Sequence, residues 1–232
     1  MKKYMTIVLI VTVALILIQA FRLLILRRQI SAYKTYWQNL ATEDVPKDAI
    51  WYVALGDSAA QGIGASRPEK GYVGQVAAEI AQKTGKPVHV INLSANGAKV
   101  ADVIRDQIQK LNLLNLPDSS IVTVEVGAND MANFQPDRFE KEFDRMLGLL
   151  PSNALVSNVP YFGKGIFRSR ERSVVKANQI IDRLIKARNM HIVPLYEVTK
   201  SNSSWLNNAA DVFHPNDRGY KWWYEAFRQE LN

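Results

Sequence analysis

Trp51-Tyr52-Val53-Ala54-Leu55-Gly56-Asp57-Ser58 is the stretch from which the rest of the chain can be read. Five apolar residues, rich in aromatic and branched side chains, make a short continuous run of the kind that forms a strand buried on both faces. The run stops at a glycine, and a serine stands two positions later. The glycine-bearing loop Gln61-Gly62-Ile63-Gly64 follows. Tyr72, Val73, Val76, Ile80 and Ala81 then trace a helical face that Gly85 ends.

The same unit recurs along the chain. Val88 to Leu93, Ile121 to Val126, Ala154 to Val159 and His191 to Val193 read as four more strands, the fourth of the five ended by Pro160. Helical stripes separate them: Val100, Ile104, Ile108 and Leu111; Phe139, Phe143, Met146, Leu147 and Leu150, entered at Pro136; Val174, Ala177, Ile181, Leu184 and Ile185. Tyr220, Trp223, Tyr224, Phe227 and Leu231 mark a last helix. Strands alternating with helices predict an α/β fold, a five-stranded parallel sheet covered on both faces. In such sheets ligands bind beyond the carboxyl ends of the strands. Ser58 and Asn129, the latter in Gly127-Ala128-Asn129-Asp130, each fall just past such an end, so the fold itself predicts that they converge.

Upstream of this domain the composition changes. Met5 to Ile18 is apolar except for Thr6 and Thr12, and the apolar run resumes at Phe21 and Leu23 to Leu26. A helix over Tyr4 to Leu26 would be about 34 Å long, enough to span a bilayer if Arg22 reaches to the interface. The alternative is a signal peptide cleaved near Ile18-Gln19-Ala20. Apolar residues continue past Ala20, which favours a retained, single-pass membrane anchor over a secreted product. Basic residues flank both ends, so charge does not set the orientation. A single N-terminal anchor ahead of an otherwise soluble domain resembles an export signal, and the domain is expected on the extracytoplasmic side. Residues 1–28 are thus expected to form the anchor or signal segment, 29–49 a juxtamembrane linker or helix, and 50–232 the globular domain. Ile30, Tyr33, Tyr36, Trp37 and Leu40 are spaced for an amphipathic helix on the membrane or a stalk packed on the domain.

Charge and composition exclude other classes. The net charge is +7, but Lys2, Lys3, Arg22, Arg27, Arg28 and Lys34 account for six of those charges, and no acid precedes Lys34. The globular part is nearly neutral, which argues against a nucleic-acid partner. There is no cysteine, so disulfides, thiolate catalysis and cysteine-ligated zinc are ruled out. No metal-ligand cluster appears, and neither a metal nor a cofactor is expected.

What remains points to acyl chemistry. A serine hydroxyl needs a base to become a nucleophile. His214 suits that role, and Asp211, three residues earlier in Asp211-Val212-Phe213-His214-Pro215, can hold the imidazole in one tautomer. His89 and His191 fall in strands and read as structural. The tetrahedral oxyanion needs donors: the Ser58 backbone N–H, the Asn129 amide, and the N–H of Gly97 after the second strand. Asp57 and Asp130 read as loop-holding carboxylates. Tyr161 to Arg168, with Phe162, Ile166, Phe167, Lys164 and Arg168, follows the fourth strand on the Ser58 side; it reads either as a substrate lid or as a solvated loop leading into a helix.

These residues resemble the SGNH or GDSL-type hydrolases. Gly56-Asp57-Ser58 is similar to that family's first block, Gly97 to the glycine of the second, Gly127-Ala128-Asn129-Asp130 to the third, and Asp211-Val212-Phe213-His214 to the fifth. Ala59 replaces the leucine that usually follows the serine. The resemblance covers about residues 50–232. It implies a three-layer, flavodoxin-like fold and esterase or lipase activity, with Ser58 as nucleophile, His214 as base, Asp211 as its partner, and Ser58, Gly97 and Asn129 in the oxyanion hole. The expected substrate is a small-molecule, lipid or carbohydrate ester. Two alternatives stay open: an O-acyltransferase using the same site, and a catalytically silent binding domain tethered to the membrane.

Overall fold

A computed structural model describes residues 2–231, so the outermost ends of the expected segments, Met1 and Asn232, lie outside the described residues. Five strands form one sheet: β1 (Ile50–Gly56), β2 (Val88–Asn92), β3 (Ile121–Glu125), β4 (Leu155–Ser157) and β5 (His191–Val193). All pairings are parallel and the order is β2-β1-β3-β4-β5. This is the flavodoxin-like order, whose direction of winding reverses between β1 and β3. The strands read almost as continuous apolar runs because both faces are covered. One core lies between the sheet and the helices that carry Ile104, Phe143 and Ile181. The other lies between the sheet and the helices that carry Val76 and Phe227. β4 is shorter than the sequence suggests. Ala154 is in a turn bonded to Pro151 O, and Asn158 N–H goes to Val193 O beyond the named strand.

The segment upstream of the domain is one unbroken helix, α1 (Lys2–Leu40), about 58 Å long at the standard rise. An 18-residue window in it reaches a mean hydropathy of 2.6 with none of it buried, so it is long and apolar enough to cross a membrane. Its last turns are different. Tyr33 and Trp37 are buried against the domain, and their polar tips are matched: Tyr33 OH donates to Ala65 O at 2.7 Å and Trp37 Nε1 to Gln61 O at 3.0 Å. Of the two readings of this region, the helix therefore packs on the domain.

Helix α2 (Tyr72–Thr84) follows β1 and ends at Gly85 in the left-handed conformation. It packs against the last helix, Asp217–Arg228, where Tyr72 stacks on Phe227 with centroids 4.6 Å apart. The helix between β2 and β3 is built from Val100–Asp102, Val103–Gln107 and Ile108–Leu111, and its middle piece has the wider π geometry. Bulges of that kind are frequent at functional sites, and Gln107 is the last residue of this one.

Candidate active site

Ser58 and Asn129 lie just beyond the carboxyl ends of β1 and β3, at the point where the winding reverses. Two backbone features fix the approach to Ser58. Gly56 ends β1 with φ +150, and a Cβ there would sit 2.2 Å from Glu125 O, so no side chain fits. Gln107 then clamps the same residue from the π turn. Its Oε1 accepts from Gly56 N and its Nε2 donates to Gly56 O, both at 2.8 Å and fully buried. The next turn is closed by Asp57 Oδ1, which accepts from Ala59 N at 2.9 Å.

The loop after Ser58 is braced from two sides. Tyr220 OH of the last helix donates to Ile63 O at 2.7 Å. Gln29 of α1 accepts from Gly64 N and donates to Ala65 O, both at 2.9 Å. Gly64 has φ +98, and a Cβ on it would come within 2.2 Å of Pro215 O. The Ser58 loop and the His214 loop therefore touch backbone to backbone.

His214 is held by its own turn. Asp211 Oδ1 accepts from Phe213 N and His214 N at 3.1 and 3.0 Å, while Oδ2 meets His214 Nδ1 at 2.5 Å. Ala209 N donates to His214 O at 2.7 Å. Asn216 caps the last helix through Arg218 N and Gly219 N, and its amide reaches Leu206 O and Asn208 O. The other ring nitrogen of His214, Nε2, lies 2.9 Å from Ser58 Oγ, across 156 residues of sequence. Burial by itself would raise the Asp211 carboxyl; the His214 bond and charge and the two backbone N–H groups outweigh it and hold the carboxyl below the usual range.

Asn129 is tied to this centre by bonds the sequence did not reveal. Its Nδ2 donates to Asp57 Oδ2 at 3.0 Å and to Ala98 O at 3.1 Å, so both amide hydrogens are engaged. Asp57 thus orients Asn129 as well as closing its own turn. Asp130 accepts from Val100 N at 3.3 Å. Gly97 stands on an exposed turn at φ +75 next to Ala98. Among the described residues, neither the Ser58 N–H nor the Gly97 N–H has a hydrogen-bond partner. Behind the site, burial raises the Asp57 carboxyl, and it lifts that of Glu125 well above the usual range, with the Asp57 charge adding to the latter.

A cavity of about 150 Å³ opens onto Ser58 and His214. Its walls include Phe162, Phe167, Trp205 and Phe213, whereas Gly97 and Asn129 lie outside it. Phe162 stacks on Phe213 at 5.7 Å and Phe167 meets the same ring edge-on at 5.0 Å. Phe213 in turn lies edge-on to His214 at 5.1 Å. The segment after β4 therefore forms an apolar wall of the pocket. It is fastened by Tyr161 N to Thr199 Oγ1 and Phe162 N to Glu171 Oε2, each at 3.0 Å. The remaining histidines are elsewhere: His89 is buried edge-on to Trp51, and His191 starts β5 with an exposed side chain. Among the described residues no group of three or more His, Asp or Glu could hold a metal ion.

Two kinds of comparison agree with this geometry. Residues 54–222 match the GDSL-like Lipase/Acylhydrolase family. No curated protein matches the chain. Among solved structures, a lipase/acylhydrolase from Enterococcus faecalis is similar at 21% identity and a TM-score of 0.65, covering 78% of this chain and 95% of that one. A member of the lipolytic G-D-S-L family from Veillonella parvula has 16% identity and a TM-score of 0.65 over 79% and 98% of the two chains. An acetylxylan esterase from Geobacillus stearothermophilus has 17% identity and a TM-score of 0.60 over 81% and 97%. At these identities the likeness is one of fold.

Proposed function

Because the chain belongs to the GDSL-like lipase/acylhydrolase family, we propose that it is a membrane-anchored serine hydrolase that cleaves carboxylic esters through an acyl-Ser58 intermediate. The observation that carries this reading is the unbroken path from Asp211 through His214 to Ser58, with contacts of 2.5 and 2.9 Å, at the floor of an apolar pocket.

Ser58 Oγ gives its proton to His214 Nε2 as it attacks the ester carbonyl carbon. Asp211 holds the proton on Nδ1 and stabilises the imidazolium that forms. The oxyanion is met by the unengaged N–H groups of Ser58 and Gly97 and by Asn129 Nδ2, which must share one of its two present bonds. One such donor is worth about 3–4 kcal/mol in the transition state. Collapse expels the alcohol, protonated by His214. Water then gives a proton to His214 and attacks acyl-Ser58; the acid leaves and Ser58 recovers its proton. The apolar residues that continue past Ala20, Phe21 and Leu23 to Leu26, support a retained anchor, and we place the domain on the extracytoplasmic side.

Hydrolysis of p-nitrophenyl esters from acetate to palmitate by the full chain, with Ser58→Ala beside it, tests the reading. Turnover that disappears in the variant is expected. Turnover that survives in the variant, or no turnover of any ester by folded protein, overturns it.

A further inference from the structure

Two separate features meet at the mouth of the pocket. The first is an exposed apolar rim. Trp205 is 80% exposed and Ile166 72%, with Leu206 and Val212 at 44% and 45%. Trp205 and Val212 are pocket walls, Ile166 stands between the wall residues Gly165 and Phe167, and Leu206 stands between Trp205 and Asn207. Val212 is held outward at φ 60, a region that penalises a β-branched residue.

The second feature is the path of α1. Gln19 Nε2 donates to Ala210 O at 2.6 Å, two residues from Val212. Gln29, ten residues further on, is bonded to Gly64 and Ala65. About 15 Å of helix therefore runs along the loops that carry Ser58 and His214. The apolar run extends to Leu26, so Gln19 lies about 10 Å inside its domain-side end. The headgroup layer on one side of a bilayer is only about 5–8 Å thick. Arg22, whose charge must reach the interface, is three residues nearer the domain, about 4.5 Å along the helix, so a rim bonded to α1 at the level of Gln19 lies past the headgroups at the acyl boundary. The surrounding chemistry suits that depth. Tryptophan is favoured at the interface, and Arg22, Arg27 and Arg28 on α1, with Lys164 and Arg168 beside Ile166, can meet anionic headgroups.

We propose that the pocket mouth is a lipid-docking surface: Ile166, Trp205, Leu206 and Val212 insert into the bilayer that α1 crosses, and the site takes an amphipathic lipid ester directly from it. The proposal rests on the reading of α1 as a retained membrane helix and of Ser58 as nucleophile. The ester linkages of such lipids lie between headgroup and chains, at the depth to which the rim reaches. A cavity of about 150 Å³ encloses only the acyl portion next to the carbonyl, since a space of roughly that size holds a single benzene. The bilayer would accommodate the remainder.

The chain has no cysteine, so single thiols can be placed without background. Ile166→Cys and Leu206→Cys are labelled with a polarity-sensitive fluorophore in the full chain, reconstituted in phosphatidylcholine–phosphatidylglycerol vesicles with or without chain-labelled doxyl lipid. Leu113→Cys is the control, an exposed position at the opposite end of the sheet. Blue-shifted emission at 166 and 206 that doxyl lipid largely quenches, with neither effect at 113, is the expected result. Water-like emission at all three positions overturns the docking surface. Shielded emission that doxyl lipid leaves untouched also overturns it, and points to a protein cover. Ser58-dependent turnover of p-nitrophenyl acetate in the same vesicles reports the hydrolase reading separately. Extraction of the protein from the vesicles by alkaline carbonate overturns the membrane helix and, with it, this surface.

Discussion

Replacing Gln107 with leucine is the sharpest test of how this fold delivers its serine. The glutamine is 1% exposed and makes two 2.8 Å bonds to the backbone of Gly56. Leucine fills a similar volume, so the change mainly removes those bonds. Gly56 O keeps a second partner, Ala95 N at 3.1 Å. Gly56 N is left alone in a dry interior, at a cost of about 1–3 kcal/mol. Adding the net value of the second bond, about 1 kcal/mol, gives an expected destabilisation of roughly 2–4 kcal/mol. For a domain of this size, at about 2–4 °C per kcal/mol, that lowers Tm by about 4–16 °C. Ser58 is only two residues away, and a displacement near 1 Å can lower kcat about a hundredfold. Scanning calorimetry of the detergent-solubilised chain and ester turnover read the two effects. Gln107→Glu supplies a control. When neutral it can both donate and accept, so its deficit should shrink as the pH is lowered. A leucine variant with unchanged Tm and unchanged kcat would refute the clamp, as would a glutamate variant indifferent to pH.

Other outcomes follow from the same geometry. Asp211→Asn keeps the size of the side chain but favours the wrong imidazole tautomer, and kcat should fall by about 10³–10⁴-fold with little change in KM; near-normal kcat would remove Asp211 from the mechanism. Asp130 is pushed up to about 6, first by burial, against the Val100 N–H and the Lys99 charge. A carboxyl raised on folding contributes stability that is fully present below its ordinary value near 3.8 and is lost as pH rises through about 6. Urea unfolding should therefore give about 1–1.5 kcal/mol more stability at pH 5 than at pH 7.5 from this group. Asp130→Asn should lose that increment, and an equal pH response in both proteins would contradict the assignment.

Much of this was open to reading before any coordinates. A strand of five apolar residues that stops at glycine reports burial on both faces, and helices between such strands require a parallel sheet. The last residues of the strands were less legible, because β4 hands over to turn and loop bonds that leave no periodic trace. α1 divided in the same way. Its apolar span was plain from composition, while the packing of Tyr33 and Trp37 was one of two equal readings, since helical spacing reports a face and not what covers it. Gln107 carried a faint signal, as one polar residue on the inner face between Ile104 and Ile108. Nothing in the sequence indicated that it would point at Gly56, 51 residues away, because that depends on how the helix is laid across the sheet.

By itself the sequence determined the layers, the strand ends and the chemical types gathered at them, because burial periodicity and turn residues act over a few positions. Only the tertiary structure decided which distant atoms meet. Ser58 and His214 are brought to 2.9 Å by the sheet order and by a contact at Gly64 that tolerates no side chain. Asn129 is bonded to Asp57, and Gln19 of α1 to Ala210. Such bonds join segments that are far apart in the chain. They depend on how the strands are ordered and how the helices cross between them, and no local pattern of residues encodes that.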